Sequence, residues 1–400
     1  MVERIEGGIT APIGFKAAGV KCGIKPANRD LALVVASTPA QAAGIFTTNL
    51  AEAAPVVVTR DHLKRSGGIA TAIVTNSGCA NACTGQQGLV SARTMATDTA
   101  TLIGCPEEQV LVASTGVIGT QLNADKLRKG ITIAARDLNT EGHAAAAEAI
   151  MTTDLKPKIS AARVVTQAGS FHVGGMAKGS GMIEPNMATM LGFLTTDAGV
   201  ESSLLHRAVA DAAETTFNAI TVDGETSTND MVLMLAGGHS GVQIEDSEYS
   251  LFVEAVHAVC HELAQAIVKD GEGATKLVAV TVTGANTQHE AKHAARAIAN
   301  SPLVKTAVHG GDPNWGRIVA VAGRSGVGFD LTHARVHIGD VELFSDEQIF
   351  DEREPEAAQH LGGNEVAISI DLGMGGSGVA TVWTCDLSAE YVRINGDYRT

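Results

Sequence analysis

The stretch Ala177-Lys178-Gly179-Ser180-Gly181-Met182-Ile183-Glu184-Pro185-Asn186-Met187-Ala188-Thr189-Met190-Leu191 is the most informative in the chain. Its glycines let the backbone bend, and Pro185-Asn186 favours a further turn. A single threonine is then delivered to the apolar run Met190-Leu191-Gly192-Phe193-Leu194. A threonine hydroxyl is a poor nucleophile unless a base sits beside it. One solution is to cut the chain just before the threonine, so that its own freed α-amine becomes the base. A bend that holds the Ala188 carbonyl over the Thr189 hydroxyl favours an N→O acyl shift and then ester hydrolysis. The segment reads either as a strand-start threonine after a tight turn or as a self-cleavage site that makes Thr189 a catalytic N-terminus.

The rest of the chain narrows the chemistry. With 400 residues, 45% of them hydrophobic, it can bury more than one core. A formal charge of −15 and 4% aromatic residues argue against nucleic acid or an anionic membrane as the main partner. A local cationic pocket remains compatible with that acidic whole. Six cysteines and an N-terminus without a secretory leader lead us to expect a cytoplasmic protein. No apolar run is expected to reach the length of a membrane span.

Local patterns alternate. Residues 69–75 and 110–113 read as buried strands ending in the polar turns Asn76-Ser77-Gly78 and Ser114-Thr115-Gly116, with helices over 91–103 and 122–138. Asn123 is the expected N-cap of the second helix. Residues 202–220 and 246–268 read as long helices, with Leu204, Ala208 and Ala212 on one face of the first. Strand-like runs follow at 277–282, 317–321 and 334–338, and 366–372 with 378–383 reads as a hairpin. Such mixed runs suggest an α/β or α+β layered fold. The loop before Thr189 is the one convincing boundary.

Several constellations could carry chemistry. Acyl transfer builds negative charge on a carbonyl oxygen, and a hydroxyl with a nearby backbone N–H can stabilise it, which suits Thr115 and Gly116. Among small residues, Glu272 could pair with a substrate ammonium and Lys178 with a carboxylate. Cys79 and Cys83, four apart, could share a helical face, but two thiols alone are weak ground for zinc. His289-Glu290-Ala291-Lys292-His293 matches a zinc-protease pattern without a persuasive third ligand and reads better as a solvated helix start, so no metal is expected. Gly373 to Gly378 fits a dinucleotide fingerprint but precedes a strand rather than a helix, so it reads as a turn.

Taken together, Lys178 to Leu191, the Ser114–Gly119 turn, Met151-Thr152-Thr153-Asp154, Asp270–Lys276, Asp312–Arg317 and the tail Tyr391–Thr400 closely resemble the ornithine acetyltransferase (glutamate N-acetyltransferase) family. The resemblance covers essentially the whole chain. It implies an α/β sandwich shared with self-processing β-peptidyl aminopeptidases, like N-terminal-nucleophile hydrolases in layers but not in chain order. It implies cleavage between Ala188 and Thr189 into an α chain (1–188) and a β chain (189–400), held together as an α2β2 heterotetramer. It implies that Thr189 takes the acetyl group of N-acetylornithine and passes it to glutamate by a ping-pong sequence, with no bound cofactor. Acetyl-CoA is a further donor in some members. Thr115 and Gly116 match the oxyanion pair. Thr153, Lys178, Thr189, Glu272, Asn395 and Thr400 match the substrate-binding positions. Leu155, Glu225 and Gly396 depart from the family's pattern and bear on fine substrate preference. The rival within enzymes is an N-terminal-threonine amidase or aminopeptidase that releases its acyl group to water.

Overall fold

Strands that read as unbroken apolar runs do so because the sheet containing them is buried on both faces. In β3 (Leu31–Phe46), Leu31 and Leu33 enter one hydrophobic cluster while Ala32 and Val34 enter another. The same alternation splits Val110 and Val112 from Leu111 and Ala113 in β5 (Val110–Val117). A period of two thus survives, hidden by apolar residues at every position.

The computed structural model describes residues 1–184 and 190–397. The described chain forms two compact units, residues 1–218 with 225–267, and residues 219–224 with 268–397. This division follows packing and differs from the expected cleavage fragments, which are divided by a covalent cut.

In the first unit the elements are β1 (Val2–Ile5), β2 (Phe15–Val20), β3, α1 (Ala54–Arg65), β4 (Ile69–Cys79), α2 (Gly85–Ile103), β5, α3 (Ala124–Asp137) and α4 (His143–Ala149). They continue with β6 (Lys158–Thr166), β7 (Gly169–Lys178), β8 (Leu191–Thr196), β9 (Gly199–Val200), α5 (Ser202–Thr215), β10 (Met231–Ala236), β11 (Gln243–Ile244) and α6 (Asp246–Lys269). Among the described residues the main sheet has nine strands in the order β1-β6-β7-β8-β10-β3-β4-β5, with β2 also paired to β3. The β4–β5 and β8–β10 pairs are parallel and the others antiparallel. Helices α2 and α3 bury Met95, Leu127 and Ile131 on one face, and α4 buries Ala146 and Ala149 on the other. Asn123 caps α3 as expected, its side chain accepting from the Lys126 N–H at 3.0 Å.

The second unit carries β12 (Leu277–Ala285), α7 (Gln288–Ala299), α8 (Pro302–Gly310), α9 (Trp315–Arg324), β13 (Arg335–Ile338), β14 (Val341–Ser345), β15 (Gln348–Ile349), α10 (Glu354–Leu361), β16 (Glu365–Asp371), β17 (Gly378–Cys385) and α11 (Ala389–Asp397). Its sheet runs β15-β14-β13-β16-β12-β17 over a core that includes Val280, Ile298, Ile368 and Val382. The α/β class holds, with sheets and helices layered in each unit.

Five local expectations need correction. Residues 317–321 form part of α9, not a strand, because Asn314 caps the N-terminus and Ile318, Val321 and Ala322 recur at helical spacing on the buried side. The strands β16 and β17 are not a hairpin, since β12 lies between them and pairs with both. Cys79 ends β4 and Cys83 sits in a turn with φ 55°, so they share no helical face. The buried face of α5 runs through Leu205 rather than Leu204, together with Ala208, Val209 and Ala212. Finally, α6, with 24 residues, is long and apolar enough by composition to reach across a membrane. Its stripe Val256, Val259, Leu263 and Ile267 is buried, as in the core helix of a globular unit.

Candidate active site

Two parallel strands build the first part of the site. The C-terminal end of β5 presents Thr115 and Gly116 beside Ser77, Gly78 and Cys79 of β4, where the ladder shifts register. Gly116 sits at φ 125°, and a Cβ there would collide with the Gly78 carbonyl carbon. Only glycine fits that close approach. The turn is braced from behind by buried polar contacts. The Ser114 hydroxyl donates to Asn76 Oδ1 at 2.6 Å, and Asn229 Nδ2 donates to the carbonyls of Ala80 and Ser114 at 2.6 and 2.8 Å.

Lys178 is the last residue of β7 and is buried. Its Nζ donates to Thr115 Oγ1 at 3.3 Å. Two residues singled out independently in the sequence are therefore in contact. β7 and β8 are antiparallel neighbours with Lys178 opposite Leu191, so residues 179–190 connect adjacent strands of one sheet. Ala188 and Thr189 fall in that connection but lie outside the described residues, as does Thr400. The near end of the connection is tied to the loop before β10. The Glu184 N–H donates to the Glu225 carbonyl at 2.9 Å and the Thr226 hydroxyl to the Glu184 carbonyl at 3.0 Å. At the far end the Met231 N–H donates to the Met190 carbonyl at 3.1 Å.

Sequence reasoning passed over two aspartates here. Asp154 is buried and accepts three hydrogen bonds, from Lys158 Nζ and the Gly179 N–H at 2.7 Å each and from the Thr152 N–H at 2.9 Å. It thus joins the segment of Thr153, itself half-buried, to the residue after Lys178. Burial works to raise the Asp154 carboxyl, but Lys178, Lys158 and these hydrogen bonds prevail and hold it well below the ordinary carboxylate range. Asp230, just before β10, behaves oppositely. Burial pushes its carboxyl well above the ordinary value, against a hydrogen bond from Ser227 and the charge of Lys178. Its Oδ2 has no hydrogen-bond partner among the described residues. The signal available in the sequence was the pair of polar clusters ending in Asp154 and Asp230, with nothing to mark the aspartates within them.

In the second unit, Glu272 and Asn395 come together across 123 positions, Asn395 Nδ2 donating to Glu272 Oε2 at 2.8 Å. Glu272 is buried, and the next residue, Gly273 at φ 71°, lies too close to the Tyr391 N–H to carry a side chain. The Ser388 hydroxyl donates to the Gly273 carbonyl at 2.6 Å, locking this turn to the start of α11. His289 and His293 are exposed in the first turns of α7, whose N-cap is Thr287.

The model of the ArgJ family matches residues 16–400. An arginine biosynthesis bifunctional protein ArgJ of Symbiobacterium thermophilum is 49% identical, covering 100% of both chains. Its counterpart in Chlorobaculum tepidum is 48% identical over 97% of this chain and 96% of that one. Among solved structures, an ornithine acetyltransferase complexed with ornithine from Mycobacterium tuberculosis is 40% identical, covering 47% of this chain and 100% of that one, with a TM-score of 0.44. With whole-length relatives at nearly half identity and a family match reaching the last residue, the chain belongs to the ArgJ family.

Proposed function

We propose that this arginine-biosynthesis enzyme is a self-processing acetyltransferase that moves the acetyl group of N-acetylornithine to glutamate. Thr189, freed by cleavage after Ala188, is the nucleophile. Its α-amine takes the hydroxyl proton as the oxygen attacks the acetyl carbonyl, and returns it to the departing ornithine amine. The α-amine of glutamate then attacks the acetyl-Thr189 ester, the ester C–O bond breaks, and the proton lost by that amine passes through the Thr189 α-amine to the Thr189 oxygen as N-acetylglutamate leaves.

The observation that carries this reading is the Lys178–Thr115 contact. An ammonium has only donors, so Thr115 Oγ1 accepts from Lys178 and its own hydroxyl hydrogen is left to donate elsewhere. A hydroxyl polarised by a cation, beside a turn that only glycine can make, suits a carbonyl oxygen turning into an oxyanion. Lys178, Thr153, Glu272, Asn395 and Thr400 are the groups proposed to hold the amino-acid portions of both substrates. Acetyl-CoA is a candidate second donor, and an α2β2 assembly of the cleaved chains is the proposed form.

Intact mass under denaturing conditions tests the processing step, with Thr189→Ala expected to remain one chain without activity. The transfer step is tested by incubating the enzyme with N-acetylornithine alone and then adding glutamate. A stoichiometric burst of ornithine, followed by turnover only with glutamate, is expected. Steady ornithine release into water without glutamate would instead identify a hydrolase.

A further inference from the structure

Lys25 sits in the first unit, half-buried, and its Nζ donates to the Met151 carbonyl at 2.9 Å. That is its one hydrogen bond from the ammonium among the described residues, leaving two donor protons uncommitted. The carboxylates around it are engaged elsewhere. Asp30 accepts from the N–H groups of Cys22, Gly23 and Lys25 itself. Asp154 is committed to Lys158, Gly179 and Thr152, and Glu148 pairs with Arg29 at 3.0 Å. Burial and then the nearby Lys178 lower the Lys25 ammonium's affinity for its proton, against the pull of these carboxylates. Lys25 and Lys178 are thus close enough to repel each other, and Lys25, though attracted by three nearby carboxylates, makes no ion pair with any of them among the described residues.

Among the described residues, Lys25 is the one cationic side chain lining a cavity of about 290 Å³, whose wall also includes Glu148, Met151, Thr152, Asp154 and Leu155. The cavity stands next to the proposed reaction centre. A Cβ on Gly78 would lie 2.6 Å from Lys25 Cγ, so the lysine stem packs directly on Gly78, whose other side abuts Gly116. Thr152, on the same wall, adjoins Thr153.

We infer that Lys25 is the acceptor-specificity residue, its ammonium binding the side-chain carboxylate of a dicarboxylic amino acid in this cavity. The inference rests on the proposed transfer to glutamate. Donor and acceptor share an α-carboxylate, which one cation at Lys178 can serve. The acceptor alone brings a second carboxylate, and Lys25 is a second cation whose ammonium has donor protons uncommitted among the described residues. A site with an uncommitted, half-buried charge rejects an uncharged analogue far more strongly than an apolar pocket rejects a change of shape.

The test compares glutamate with glutamine as acceptor at saturating N-acetylornithine, in wild type, Lys25→Met and Lys25→Arg. Met keeps the stem against Gly78 and removes the charge. Expected is a fall of at least about tenfold in the glutamate-to-glutamine ratio of kcat/KM for Lys25→Met, with most of the ratio kept by Arg. An unchanged ratio, or an equal loss with both acceptors, overturns the assignment. Should Lys25→Met not fold, glutarate and its monoamide are compared as competitors of glutamate on the wild-type enzyme. At least about tenfold stronger inhibition by glutarate supports the assignment, and equal inhibition overturns it. If the wild-type enzyme forms no N-acetylglutamate from N-acetylornithine, the transfer reading itself fails, and the two failures stay distinct.

Discussion

The Lys178 ammonium and the Thr115 hydroxyl meet at 3.3 Å although 63 positions separate them. Lys178 ends β7 and Thr115 lies near the end of β5, so the contact depends on the sheet holding both strand ends in place. Thr115→Val removes the donor while keeping the shape of the side chain. We expect kcat to fall by about 10²–10³, the usual cost of one oxyanion donor, with a much smaller change in KM. Thr115→Ser should keep most of the rate. Steady-state kinetics of the three enzymes decides it, and equal losses in Val and Ser would remove the hydroxyl from the mechanism.

Asp154 and Lys158 form a buried pair at 2.7 Å, with side-chain exposures of 0% and 2%. Asp154→Ala would leave Lys158 charged, buried and without that partner, and should cost about 3–5 kcal/mol of stability. The sign with pH follows from the lowered native carboxyl. Its contribution is present above the unfolded value of 3.8 and is lost as pH falls through the native value. Denaturant unfolding at neutral and acidic pH should therefore show the gap between wild type and variant closing in acid.

Part of the candidate site was legible in the sequence. Thr115, Gly116, Lys178 and Glu272 could be picked out because each sits in a run of small or polar residues that suggests a turn, whereas Asn395 entered only through the family resemblance. Their pairing was not legible, since contacts over 63 and 123 positions depend on strand order rather than on local pattern. Lys25 was invisible for the same reason. Nothing in its neighbourhood of sequence shows that Gly78 will pack on its stem. The misread run at 317–321 failed differently. Four apolar residues fit either period, and the Asn314 cap was the clue that decides for helix.

Asp230 is expected to reveal itself through pH. Its native carboxyl is raised above the unfolded value of 3.8, so its favourable contribution is complete below that value and is lost as pH rises toward the native one. Asn in its place keeps the shape and does not titrate. Asp230→Asn should thus gain in Tm relative to wild type as pH increases from about 4 to about 8. A Tm difference flat across that range would mean that the buried carboxyl does not hold its proton.

Cleavage at Ala188–Thr189 should leave the two fragments associated. The cut falls between β7 and β8, which pair over six residue positions, and β8 is also paired in parallel with β10 on its other side. β10 in turn pairs with β3, so the new chain is laced into the sheet by strands from both fragments. Breaking one connecting bond removes none of these ladder hydrogen bonds and leaves the apolar faces of Phe193 and Leu194 buried. Denaturing mass measurement should give two chains of 188 and 400 − 188 = 212 residues, while gel filtration without denaturant should give one species containing both. Separation of the fragments in native buffer would show that the intact connection, rather than the sheet, holds the halves together.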